Sequence, residues 1–131
     1  MRRVRLKITF NKRDPVYVQV VQHFKQQIAS GTFEPGEEIP SRRELANQLK
    51  INPNTAQRAY KEMEEAGLIF TEGNNPSRIT KDEEILRNLR SELIEEAVED
   101  FIKAVEPINL SIDELIALIK EKYEQRGNIN D

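Results

Sequence analysis

Five polar side chains fall within eight consecutive positions of this sequence: Asn54, Thr55, Gln57, Arg58 and Lys61. Asn and Gln carry a paired amide donor and acceptor that match the major-groove edge of adenine. Arg matches guanine, and Thr meets either a base or a phosphate. Between them Ala56, Ala59, Tyr60 and Met63 recur at three- and four-residue spacing, so a helix buries that set and turns the polar set outward. An ordinary solvated helix face is richer in Glu and Lys, which form helices better than Asn and Thr do. Upstream, Arg42 and Arg43 directly follow Ser41. A cation in the first turn of a helix opposes the helix dipole, so stability explains the pair poorly. A phosphate nearby accounts for both the arginines and the free N–H groups of a helix start. The plainer alternative is a salt bridge from one of them to Glu38 or Glu44.

Other chemistries find little support. There is no cysteine and a single histidine, His23, which leaves no thiolate site, disulfide or multi-histidine zinc site. No nucleophile–base pair or phosphate loop stands out, so an enzyme is not expected, nor a cofactor or a metal. The acids Glu92, Glu95, Glu96, Glu99 and Asp100 read as a solvated helix face rather than a cation site. No apolar run approaches the ~20 residues needed to cross a bilayer, and no signal-peptide core opens the chain, so a cytoplasmic protein without a membrane partner is expected. The net charge of −3 divides unevenly: residues 1–80 carry +4 and residues 81–131 carry −7. A basic front and an acidic back fit a chain whose first part alone meets phosphate.

The polar face needs elements to hold it. Residues 5–10 alternate polar and apolar, which predicts a short strand with Leu6, Ile8 and Phe10 inward. Asp14-Pro15 supplies a cap and a first-turn proline for a helix burying Tyr17, Val20, Val21, Phe24 and Ile28. Ser41-Arg42-Arg43-Glu44 is a capping box opening a short helix with Leu45, Ala46 and Leu49 inward. Ile51-Asn52-Pro53-Asn54 makes the turn into the helix that carries the polar face, which stops at Gly67. A short helix, a tight turn and a second helix form a helix-turn-helix. Leu68-Ile69-Phe70 then reads as a strand, Glu72 to Ser77 as a loop, and Ile79 as a return strand, together a small wing. Thr80-Lys81-Asp82-Glu83 and Ser111-Ile112-Asp113-Glu114 read as two more capping boxes, each opening an apolar-striped helix.

Pro15-Val-Tyr-Val-Gln-Val, Ile28-Ala-Ser-Gly, Pro35-Gly-Glu-Glu-Ile-Pro-Ser-Arg-Arg-Glu-Leu-Ala, Asn52-Pro-Asn-Thr-Ala-Gln-Arg-Ala-Tyr and Glu64-Glu-Ala-Gly-Leu-Ile follow one another over residues 14–72. Together they closely resemble the GntR family of bacterial regulators, and the turn and short tail look most like its YtrA subfamily. The resemblance implies that Arg43, Asn54, Thr55 and Gln57 contact operator DNA, that the wing meets the adjacent minor groove, and that the tail dimerises. Position and charge add Arg42 and Arg58. The wing departs from the family pattern, which has a basic, glycine-rich tip. Glu72-Gly73-Asn74-Asn75-Pro76-Ser77-Arg78 offers one glycine and one late arginine, leaving Gly73, Asn74 and Arg78 as its candidate contacts. Met1-Arg2-Arg3-Val4-Arg5 is a candidate basic arm.

The expected fold is therefore mainly α with a small β wing. A winged helix-turn-helix over 1–80 precedes a two-helix dimerisation tail over 81–131. Leu86, Leu89, Leu93, Ala97, Phe101 and Val105 make a stripe roughly 35 Å long, and Leu115 and Ile119 lie on the last helix. Two helices cannot bury two apolar faces alone, so these residues are expected to pair two copies. The expected function is sequence-specific DNA binding by a homodimeric regulator, a repressor, on a palindromic operator of double-stranded DNA. The competing reading is a winged-helix adaptor that has lost DNA, with the atypical wing as its support. No small-molecule effector is assigned.

Overall fold

The structure, a computed structural model, describes residues 6–130, with side chains through Gly127. The basic segment Met1–Arg5 lies outside the described residues. Helix α1 (Val16–Ala29) is followed by α2 (Arg42–Leu49), α3 (Pro53–Glu65), strands β1 (Ile69–Phe70) and β2 (Arg78–Ile79), α4 (Glu83–Val105) and α5 (Ile112–Asn130). A 3-10 turn, Glu106–Ile108, joins the last two helices. The chain divides into two compact units, one ending at Leu93 and the other beginning at Ile94.

In the first unit α3 packs against both α1 and α2. Val20, Phe24, Leu45, Ala56, Ala59, Tyr60 and Met63 are fully enclosed, as their spacing requires. Phe24 stacks on Phe33 with ring centroids 5.4 Å apart and meets the edge of Tyr60 at 6.0 Å. Each such large side chain taken out of water stabilises the fold by roughly 1.5–3 kcal/mol. Helix α3 ends in a Schellman arrangement: the Leu68 N–H reaches the Met63 carbonyl at 2.9 Å, and Gly67 adopts φ +78°. The positive φ favours glycine there, and a Cβ would in addition press on Ile85 Cδ1 at 3.0 Å.

The wing is wider than expected. β1 and β2 pair antiparallel, with Ile69 opposite Ile79 and Phe70 opposite Arg78. Residues 36–39 lie along the other edge of β2, through Gly36 N to Ile79 O (2.8 Å), Ile79 N to Glu37 O (2.9 Å) and Ile39 N to Ser77 O (3.0 Å). At the tip, Asn75 N bonds to Glu72 O at 3.0 Å, and Gly73 supplies φ +56°. The tight turn expected at Gly73-Asn74 is present.

Several expectations need correction. Over residues 6–10 the alternation holds in burial, with Leu6 buried and Ile8 and Phe10 half-buried, but these residues pair with no strand. Alternation reports one covered face, not a ladder partner; the Leu6 N–H bonds instead to Gln48 Oε1 at 3.3 Å. Pro15 rather than Asp14 occupies the cap of α1, and Asp14 accepts from Gln19 through its backbone carbonyl. Asp82 rather than Thr80 caps α4, its carboxylate accepting from Glu84 N at 2.9 Å, while Thr80 Oγ1 takes Asp82 N at 3.1 Å. Ser41 and Glu44 do form a full capping box, Asn52 caps α3, and Ser111 Oγ accepts from Glu114 N.

The largest correction concerns α4. Leu86 and Leu89 belong to the core of the first unit, and Leu93 packs against that core from its edge. Leu86 and Leu89 are thereby buried within the first unit, and Leu93 is half-buried. The physical reason is that the first turns of α4 lie against the reader: Ile85 packs against its core beside Gly67, and Glu92 pairs with Lys25 of α1 at 3.4 Å. The unit boundary accordingly falls after Leu93 rather than after residue 80. Beyond it, none of residues 94–127 is buried, and Ala97, Phe101 and Ile119 are exposed while Val105 and Leu115 are half-buried. Among the described residues no helix is long and apolar enough to cross a membrane, and no three His, Cys, Asp or Glu side chains gather as metal ligands.

Candidate nucleic-acid interface

Helix α3 divides into two faces. Ala56, Ala59, Tyr60 and Met63 have no exposed surface. Asn54, Gln57, Arg58 and Lys61 are exposed and Thr55 is half-exposed. Asn52 Oδ1 accepts from Asn54 N at 2.8 Å, which fixes the first turn and leaves the Asn54 amide free. Among the described residues the side chains of Asn54, Thr55 and Gln57 have no intramolecular hydrogen-bond partner. A row of unpaired amide and hydroxyl groups on a rigid, one-side-buried helix is suited to hydrogen-bonding a base edge.

Arg43 projects from the first turn of α2 and is exposed, with no ion pair among the described residues. Arg58 lies with its guanidinium carbon 3.8 Å from the ring centroid of Tyr17, a cation–π contact that holds the side chain while leaving its N–H edge free. Tyr17 was expected only as a core residue. Its half-exposed ring beneath Arg58 is a positioning role that helical spacing does not reveal.

Two expected contacts are engaged within the chain instead. Arg42, one residue before Arg43, turns inward: Nη2 donates to Glu64 Oε1 at 2.7 Å, and the guanidinium lies 5.2 Å from the centroid of Tyr60. Arg42 does form an ion pair, with Glu64 rather than Glu38 or Glu44. Arg78 donates from Nη1 to Gly36 O at 3.1 Å, and its Nη2 lies 3.6 Å from Glu38. It fastens the wing root to residues 36–38. Gly73 and Asn74 are exposed at the tip, and residues 71–77 hold no Lys or Arg.

Beneath this face sits a second polar layer that local spacing does not disclose. Tyr60 donates its hydroxyl to Pro40 O, and burial raises its pKa. Thr71 Oγ1 donates to Glu64 Oε1 at 3.2 Å and lies 2.6 Å from the buried Ser77 Oγ. His23, half-buried on α1, has its pKa lowered by desolvation.

The family profile described as "Bacterial regulatory proteins, gntR family" matches residues 16–79. The HTH-type transcriptional regulator YhcF of Bacillus subtilis is 34% identical over 111 residues, 85% of this chain and 92% of that protein. The HTH-type transcriptional repressor YtrA of Bacillus subtilis is 46% identical over 57 residues, 44% of either chain. Among solved structures, a GntR family transcriptional regulator from Listeria monocytogenes superposes with a TM-score of 0.78 at 33% identity, covering 86% of this chain and 98% of that one. The winged-helix architecture, mostly helical with a two-stranded sheet, agrees with that structure.

Proposed function

The chain belongs to the GntR family of bacterial regulatory proteins, a family of transcriptional regulators rather than enzymes, and from that premise we propose that it binds a two-fold operator as a homodimer and represses transcription there. One observation carries the DNA reading: Asn54, Thr55 and Gln57 have no hydrogen-bond partner among the described residues and stand on the outer face of a helix whose inner face is wholly buried. Arg43 reaches a phosphate from the neighbouring helix start and sets the register, while the three side chains of α3 read bases. Arg58, held on Tyr17, adds a cation to the same surface.

Dimerisation is supported by the second unit, where Ile94, Val98, Phe101 and Ile102 on α4 and Ile112, Ile116, Ile119 and Tyr123 on α5 are 38–78% exposed. So much apolar surface on two helices needs a covering, and a second copy offers an identical face. On this reading Ala97, Phe101, Val105, Leu115 and Ile119 pair the two copies, with half-buried Leu93 at the margin, while Leu86 and Leu89 serve the reader core. The short tail supports a place in the YtrA subfamily, and the repressor reading draws on the name of the Bacillus YtrA.

Selecting bound fragments from random DNA tests the proposal. The expected product is an inverted repeat whose half-sites lie on the order of one helical turn apart or a multiple of it. Recovery of no preferred sequence refutes DNA reading; recovery of single, unrepeated half-sites refutes binding as a two-fold dimer.

A further inference from the structure

Arg42 and Glu64 both occupy the helix end that disfavours them. Arg42 is the first residue of α2, at the positive end of its dipole, and Glu64 lies in the last turn of α3, at the negative end of its own. Helix stability therefore does not account for either charge, and they meet each other at 2.7 Å across 22 residues of sequence. From that ion pair a chain of contacts continues into the wing. Glu64 Oε1 also accepts from Thr71 Oγ1 at the end of β1 (3.2 Å), and Thr71 Oγ1 lies 2.6 Å from Ser77 Oγ at the start of β2. Ser77 O takes the Ile39 N–H at 3.0 Å, and Pro40 O takes the Tyr60 hydroxyl. Pro40 and Ser41 lead straight back into Arg42, so the circuit closes on itself.

The geometry points to Arg42 and Glu64 as positioning residues that fix the wing against the reading helix, Arg42 making no contact with DNA. The inference rests on the proposed DNA reading and deepens it, because it removes one arginine from the phosphate contacts and gives specificity a second source. The guanidinium has its Nη2 on Glu64 and its face on Tyr60. Reaching a phosphate would require giving up both. The wing holds no cation between 71 and 77, so its contribution depends on where its backbone and asparagines are held rather than on charge. Thr71 and Ser77, the two residues that bracket its loop, are the ones this circuit grips.

The test uses the full chain with an operator obtained by selection, in four forms: wild type, Glu64→Gln, Arg42→Glu and the exchanged pair Arg42→Glu/Glu64→Arg. Affinity is measured by fluorescence anisotropy across a salt series, and amide hydrogen exchange over residues 71–77 is measured in the DNA-free protein. Glu64→Gln removes a negative charge from a protein that binds a polyanion, so charge alone predicts tighter binding. The positioning role predicts the opposite: binding about five- to tenfold weaker, an unchanged salt slope, and faster exchange in the wing. The exchanged pair places each charge at the helix end that favours it, and is expected to return affinity to within about twofold of wild type. Glu64→Gln binding as tightly as wild type overturns the inference. So does an exchanged pair as weak as Arg42→Glu with a slope reduced by about one unit, the signature of a lost phosphate contact. If the wild type selects no sequence, the proposed function fails by itself. Wing exchange then still decides the inference, since rates unchanged in both single variants overturn it.

Discussion

Arg43→Ala separates electrostatic grip from structure, because Arg43 is exposed and engages no partner among the described residues. Removing it breaks no hydrogen bond or ion pair among the described residues. It also takes a cation away from the positive end of α2, so the melting temperature should stay level or rise slightly. Binding should respond differently. One lost phosphate contact lowers the slope of log K against log salt by about 0.9. Between 50 and 200 mM salt that difference alone changes the ratio of wild-type to variant affinity by about 3.5-fold. A charge-assisted bond worth roughly 1.4 kcal/mol at the lower salt gives a tenfold defect there, falling to about threefold at the higher. The loss should be the same on operator and on random DNA, since a phosphate carries no sequence. Anisotropy titrations of both duplexes over the salt series, beside a thermal melt, measure all of this. An unchanged slope, or a loss confined to the operator, refutes the placement of Arg43 against the backbone of the duplex.

Gln57→Ala should act on sequence instead: a selection repeated with the variant should lose preference at one base position per half-site, costing on the order of 1–3 kcal/mol there, with the salt slope unchanged. Leu89→Ala and Phe101→Glu should divide cleanly, although both residues lie on α4. The first leaves a cavity in the reader core and lowers stability by about 2–5 kcal/mol without altering the sedimenting mass; the second yields monomers with the reader still folded. His23 predicts a pH dependence. Its folded pKa lies below the unfolded value, so the unfolded chain binds more protons. Stability is then lost as pH falls from about 6.5 toward the folded value, and His23→Gln should flatten denaturant midpoints over that interval.

The reader was legible because its signals are local. Val20, Phe24 and Ile28 on α1, and Ala56, Ala59, Tyr60 and Met63 on α3, recur at helical spacing and are buried as that spacing requires. Ser41 and Glu44 announce a helix start within four residues. What escaped depends on partners distant in sequence. Arg42 and Arg43 are chemically alike and adjacent, yet about 100° of helix separates them, and only the fold shows that one meets Glu64 while the other meets solvent. Residues 36–39 are too short to show alternation and become a sheet edge only because β2 lies beside them. On α4 a single apolar stripe serves two purposes, core up to Leu93 and exposed surface beyond it. Periodicity identifies a face but not what covers it.

Among the described residues, the hydrogen bonds that fasten the wing lie at its root. Arg78, Ser77 and Ile79 bind residues 36–39, and Thr71 is held by Glu64, whereas the tip from Glu72 to Asn75 is closed by one turn bond of 3.0 Å. Lengthening a loop between fixed ends is inexpensive, about 0.6 kcal/mol for each doubling. The tip is therefore an interchangeable cartridge: a longer or lysine-bearing loop can be grafted between Thr71 and Ser77 while the hydrophobic interior stays as it is. On the proposed DNA reading, affinity for the duplex then becomes adjustable in a handful of residues, apart from the face of α3.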